Sequence, residues 1–139
     1  MVTAGLEARV ILAAKPTLGG GVPPHRNPLQ QRLTEFAVRT GTAARGMPRN
    51  FVGAEVGRQL ARSGMSPAAN YAEAKESVSA RDYVFKMHVC LKELRETMVW
   101  LRVAHGNGFR NADYPALIAE CNELIAICVT CVKKAKARL

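Results

Sequence analysis

The chain has 139 residues, enough for one domain of ordinary size. Hydrophobic residues make up 48% of it but aromatics only 6%, so the core must be aliphatic and alanine-rich, which suits helices and argues against strands. The net charge of +9 favours polyanions, with nucleic acid ahead of an acidic protein or a membrane surface, although a basic surface also keeps a small protein soluble.

Residues 1–26 differ from the rest. Val10 to Ala14 is apolar but short, Gly19-Gly20-Gly21 and Pro23-Pro24 forbid regular structure, and no cleavage pattern follows. The expectation is a flexible leader over 1–26 and one folded unit over 27–139. Asn27-Pro28 starts a first helix, with Asn as cap and Pro in the first turn. Leu29, Leu33, Phe36 and Ala37 recur at helical spacing, and the pattern fades between Gly41 and Gly46.

Asn50 caps a second helix from near Phe51 to about Ser77, with Val52, Val56 and Leu60 as its inner stripe. Pro67 falls inside it, where a proline removes a hydrogen bond and costs ~3 kcal/mol or kinks the helix. Gly64 weakens the same turn, but Ala68 to Ala74 resumes good helix-forming sequence. The expectation is one helix kinked near Pro67, rather than two.

Ser79 caps the third helix, and Asp82 places negative charge in its first turn. Val84, Met87, Leu91, Leu94, Met98 and Leu101 alternate steps of three and four, an a/d seam. His105-Gly106-Asn107-Gly108 stops this helix. Asn111 or Asp113 opens a fourth, with Pro115 in its first turn. Leu117, Cys121, Leu124, Cys128 and Cys131 form one seam there, and Ile118, Ile125 and Val132 a second stripe beside it. So wide a face calls for two neighbours in the bundle or another subunit. Four amphipathic helices joined by short Gly/Pro turns predict an all-α, up-down-up-down four-helix bundle. No apolar run approaches the ~18 residues that would span a membrane. With no secretory leader, the four cysteines are expected to be reduced thiols in a cytoplasmic protein.

Several residues carry a family likeness: Arg62-Ser63-Gly64, Ser66, Ala69-Asn70-Tyr71, Glu73-Ala74, Ser79, Asp82, Lys86, Leu91-Lys92-Glu93, Glu96-Thr97 and Trp100-Leu101. In this order the chain resembles the four helix bundle protein family, also called the 23S rRNA intervening-sequence protein or S23 family, over roughly Leu29 to Arg138. The resemblance implies a four-helix bundle assembled as a homopentameric ring with a central channel. One relative, the accessory variability-determinant protein of diversity-generating retroelements, is a basic pentamer that engages a reverse transcriptase and nucleic acid. The resemblance therefore implies a retroelement- or rRNA-associated accessory role. The family's usual Ser-Ile/Val-Gly-Ala-Asn reads here as Ser66-Pro67-Ala68-Ala69-Asn70, and the leader lies outside the family pattern.

Candidate chemistry is sparse. Arg62, Asn70, Glu73, Lys92, Glu93 and Glu96 can meet between the second and third helices as an ion-pair network that sets register, or as an anion site. Without a phosphate-binding glycine loop, the structural reading is preferred. The Glu-x-x-Glu pairs Glu73/Glu76, Glu93/Glu96 and Glu120/Glu123 lack the Glu-x-x-His partner of a di-iron bundle. Cys128-x-x-Cys131 has zinc-like spacing but sits on an unbroken helical seam, where cysteine acts as a small hydrophobe. Trp100 and Tyr83 near Arg95 and Arg102 are candidate stacking groups, though core or interface packing is the commoner role.

No catalytic set, metal site or cofactor site emerges. The function expected is a non-enzymatic, self-associating scaffold that binds RNA or DNA, with a reverse transcriptase or another protein as a further partner. The contact residues would be Arg58, Arg62, Lys86, Arg95, Arg102, Lys133, Lys134, Lys136 and Arg138. The alternative is a structural oligomer serving a protein partner without nucleic acid; a metal-dependent bundle enzyme is the remote one.

Overall fold

The computed structural model describes residues 28–139; the expected leader and the Asn27 cap lie outside the described residues. Four helices follow one another: α1 (Pro28–Arg45), α2 (Phe51–Lys75), α3 (Ala80–Gly106) and α4 (Tyr114–Lys136). Each sequential pair is joined by a short turn and packs side by side, so the chain runs up-down-up-down. No strand occurs among the described residues.

The starts are fixed by side-chain caps, which satisfy backbone donors that a first turn leaves unpaired. Asn50 Oδ1 accepts from Gly53 N–H at 2.8 Å, Ser79 Oγ from Asp82 N–H at 3.1 Å, and Asp113 Oδ1 from Ala116 N–H at 3.1 Å. Of the two residues expected to open α4, Asp113 is therefore the cap. Asn111 ties the loop back to α1 instead, donating to the Ala43 carbonyl at 2.7 Å and accepting from the Tyr114 hydroxyl at 2.8 Å.

The α3 seam is buried as its spacing predicts, with Met87, Leu94 and Leu101 wholly so. On α4, the stripe Leu117, Cys121, Leu124, Cys128 and Cys131 is buried with Val132, while Ile118 and Ile125 pack half-buried against the core. By length and hydropathy α4 is comparable to a membrane-crossing helix, contrary to the sequence expectation that no segment approaches one. Its apolar stripe is used inside the bundle.

Three readings are corrected. α1 runs through Gly41 to Arg45, and Thr40 and Ala43, rather than Ala37, complete its buried face. Val52 stands 43% exposed because Gly53 takes the inner position. Gly64 does not act as a weak point: it is where α1 comes closest. A Cβ there would meet Thr40 Oγ1 at 2.4 Å and Thr40 Cβ at 2.7 Å. Gly57 is similarly tight, since an added Cβ would lie 3.0 Å from the Ala44 carbonyl oxygen, and one at Gly53 would lie 2.1 Å from the Pro48 carbonyl oxygen. Bare backbone on one face of α2 thus lets α1 approach. The Thr40 hydroxyl satisfies itself at 3.0 Å on the Phe36 carbonyl of its own helix. α2 continues as one helix through Pro67, whose carbonyl accepts the Cys90 thiol of α3 at 3.5 Å.

α1 and α4 meet over a shorter length, and a charge clamp holds them. The Arg32 guanidinium reaches both Glu120 and Glu123. Arg32 and Glu120 are only 11% and 13% exposed, so each needs the other to stay charged. Burial weakens the Arg32 charge, but the bonds and charges of Glu120 and then Glu123 outweigh it and raise the pKa.

The close approach gives a prediction. Gly64→Ala would gain about 1 kcal/mol of helix propensity but lose more to the clash with Thr40, destabilising the bundle by roughly 1–3 kcal/mol. Gly106→Ala, where an added Cβ meets nothing within 4 Å, should leave stability unchanged or raise it. Thermal melting followed by circular dichroism would separate the two; equal melting temperatures would refute the close packing.

Candidate nucleic-acid interface

α3 has a second seam on its outer side. Arg81, Phe85, His88, Lys92, Arg95, Val99 and Arg102 also alternate steps of four and three, and all seven are exposed. At about 1.5 Å per residue they form a stripe roughly 31 Å long. No carboxylate lies within 4 Å of its cations among the described residues. The acidic residues of α3 are drawn aside. Asp82 pairs with Lys86 at 3.3 Å, and Glu93 and Glu96 both face α2, where Arg62 reaches Glu93 at 3.5 Å and bonds Glu96.

The sequence-predicted contacts divide accordingly. Arg95 and Arg102 belong to the stripe. Lys133, Lys134, Lys136 and Arg138 are exposed at the end of α4, and the antiparallel course of α3 and α4 brings them to the same end of the bundle as Arg81. Arg58 is engaged by Glu55 at 2.6 Å, Lys86 by Asp82, and Arg62 by two carboxylates. Arg81, His88 and Lys92 join the surface without having been singled out as contacts. Their signal was in the sequence, as a second heptad rich in basic residues, offset by one residue from the apolar one.

Of the expected polar network, the structure brings Arg62, Glu93 and Glu96 together and adds two members. Gln59 accepts from Arg62 at 3.2 Å, and the Trp100 indole N–H donates to Glu96 at 3.4 Å. Asn70 bonds Ser66 on its own helix at 2.9 Å, Glu73 is exposed in the last turn of α2, and Lys92 points outward on the stripe. The reason is register. Asn70 and Glu73 lie eight and eleven residues along α2 from Arg62, about 12 and 16 Å, beyond the reach of Glu93 and Glu96. Trp100 and Tyr83, the candidate stacking groups, pack half-buried against the core.

All four cysteines are buried thiols outside any disulfide. Burial, with a lesser push from the Glu120 charge, raises the Cys121 thiol to about 12, and its Sγ–H donates to the Leu94 carbonyl at 3.3 Å. Such a thiol is neither a nucleophile nor a ready metal ligand. No group of three His, Cys, Asp or Glu poised for a metal occurs among the described residues. Glu120 and Glu123 serve Arg32, which supplies a structural role for one of the Glu-x-x-Glu pairs.

The thiols yield a prediction with a definite sign. Cys121 stays protonated in the fold but ionises above about 8.5 when unfolded, so its stabilising contribution is complete below that pH and is lost as pH rises toward 12. Burial shifts Tyr114 the same way. The melting temperature should fall between pH 8 and pH 10, and native protein at pH 8 should resist thiol reagents until unfolded. Rapid labelling of the folded chain would overturn the burial.

Against known proteins, the profile of the family described as 23S rRNA-intervening sequence protein matches residues 27–130. A crystal structure of a protein of unknown function from the S23 ribosomal protein family of Bacteroides thetaiotaomicron superposes with a TM-score of 0.68 at 26% sequence identity, covering 76% of this chain and 98% of that one. No curated protein matches. With its four helices in the same fold and the match extending over most of its length, the chain belongs to the 23S rRNA-intervening sequence protein family.

Proposed function

We propose that the protein is a non-catalytic helical scaffold that associates with itself and holds nucleic acid by its phosphate backbone. The observation that supports this most is the outer stripe of α3, with the cations Arg81, Lys92, Arg95 and Arg102, and the polar His88 among them, set along one exposed line. A line of cations with no neighbouring carboxylates stabilises little within the subunit. It suits a polyanion, whose condensed counterions it would release. The α4 lysines extend the same field at one end. Arg62 acts here as a positioning residue: by holding Glu93 and Glu96 toward α2, it keeps two negative charges away from the stripe.

Self-association has separate support. Val38 on α1 and Met65 on α2 are 65% and 53% exposed. The Met65 sulfur would lie 3.8 Å from a Cβ on Gly41, and Val38 is one turn before Gly41 on α1, which places both apolar groups on the side made by α1 and α2. Copies joined there would multiply the basic surface without covering it.

Two measurements test the reading. Binding to an RNA or DNA oligonucleotide should weaken steeply with salt, and Arg95→Ala or Arg102→Ala should each reduce the slope of log K against log salt by about 0.7–0.9. Affinity that is flat with salt would leave the structural oligomer serving a protein partner as the surviving reading. Light scattering should give an oligomeric mass for the wild type and a smaller one for Met65→Glu; a monomeric wild type would end the self-association reading.

A further inference from the structure

Phe85 is 67% exposed in the middle of the cationic end of α3. The inner face of that helix is already complete, with Val84 and Met87 buried on either side of it in sequence, so Phe85 contributes nothing to the core. Arg81 stands one turn before it, His88 one turn after and Lys92 two turns after, all on the same exposed line. A large apolar ring in water, framed by cations, is suited to a ligand that carries both negative charge and flat apolar surface.

Resting on the nucleic-acid reading above, we infer that the α3 stripe takes a single strand rather than a duplex, with Phe85 as the platform on which one base stacks. The cations track the phosphates, and the ring offers a face that any base can cover. A duplex can meet the cations, but its bases are already stacked inside and reach Phe85 only by being flipped out. A second copy of this chain fits the face poorly, since Arg95 and Arg102 would confront like charges. A helical protein partner fits no better. Five of the seven outer positions are basic, too many for the apolar core of a helix pair. The half-buried Trp100 and Tyr83 are not available in this way, which leaves Phe85 as the stacking group on this face.

The test compares a short oligouridylate with an RNA duplex of matched length, both titrated with the full chain at physiological salt. Phe85→Leu, which keeps an apolar helix-forming side chain but removes the ring, should weaken single-strand binding roughly tenfold and leave duplex binding unchanged. Phe85→Trp should match or exceed the wild type on the single strand. Melting temperatures of both variants should equal that of the wild type, because the side chain lies outside the core. Equal loss on both nucleic acids, no loss on either, or a Trp variant as weak as the Leu variant would overturn the stacking role while leaving the backbone-binding reading in place. A wild type that binds neither nucleic acid would overturn both, and Phe85-dependent binding of an acidic helical peptide in that case would reassign the face to a protein.

Discussion

The bundle depends on α3 being shared. It packs against α2 on one side and α4 on the other, so its inner face has to be apolar over a wide arc, and Met87, Cys90, Leu94 and Leu101 are wholly buried there. Its outer arc is exposed to solvent. A residue on that arc is released from packing, and seven positions spaced four and three apart use the freedom to carry four Lys or Arg, one His and two apolar groups. The same 27-residue helix therefore supplies the core seam and the candidate interface, separated only by their position around its axis.

Two arginines set the charge pattern around that helix in different ways. Arg32, nearly buried, binds Glu120 and Glu123 and closes α1 against α4, where the apolar contact is shortest. Arg62, 54% exposed, contributes little stability as a surface ion pair. Its effect is directional: it fixes where two carboxylates of α3 point. Without these pairings the acidic residues, distributed along every helix, would dilute the basic field that the sequence total implies.

Much of this was legible in the chain. Asn50 and Ser79 are local caps, the α3 heptad is a local pattern, and both are realised as read. Gly64 of α2 was read wrongly for a physical reason. A glycine in a helix looks like a local weakness, because propensity concerns the isolated helix. Gly53, Gly57 and Gly64 instead mark close approach by α1 and the turn before α2, and an approach between helices leaves no local trace. Of the polar network, Arg62 with Glu93 and Glu96 followed from the antiparallel turn, whereas Asn70 and Glu73 required the actual register to be placed apart from them.

The sequence alone determined four amphipathic helices, their order and turns, an excess of positive charge and, through the quoted motif, the family. Those are properties of neighbours along the chain, which hydrophobic period and capping chemistry encode directly. Only the tertiary structure decided which cations are free and which are neutralised, since that depends on pairs such as Arg32 with Glu120, 88 residues apart. It also decided that, of the aromatics on α3, Phe85 is left outside while Trp100 and Tyr83 turn in. A helix fixes the angle between its side chains, but its packing partners choose which arc faces the solvent.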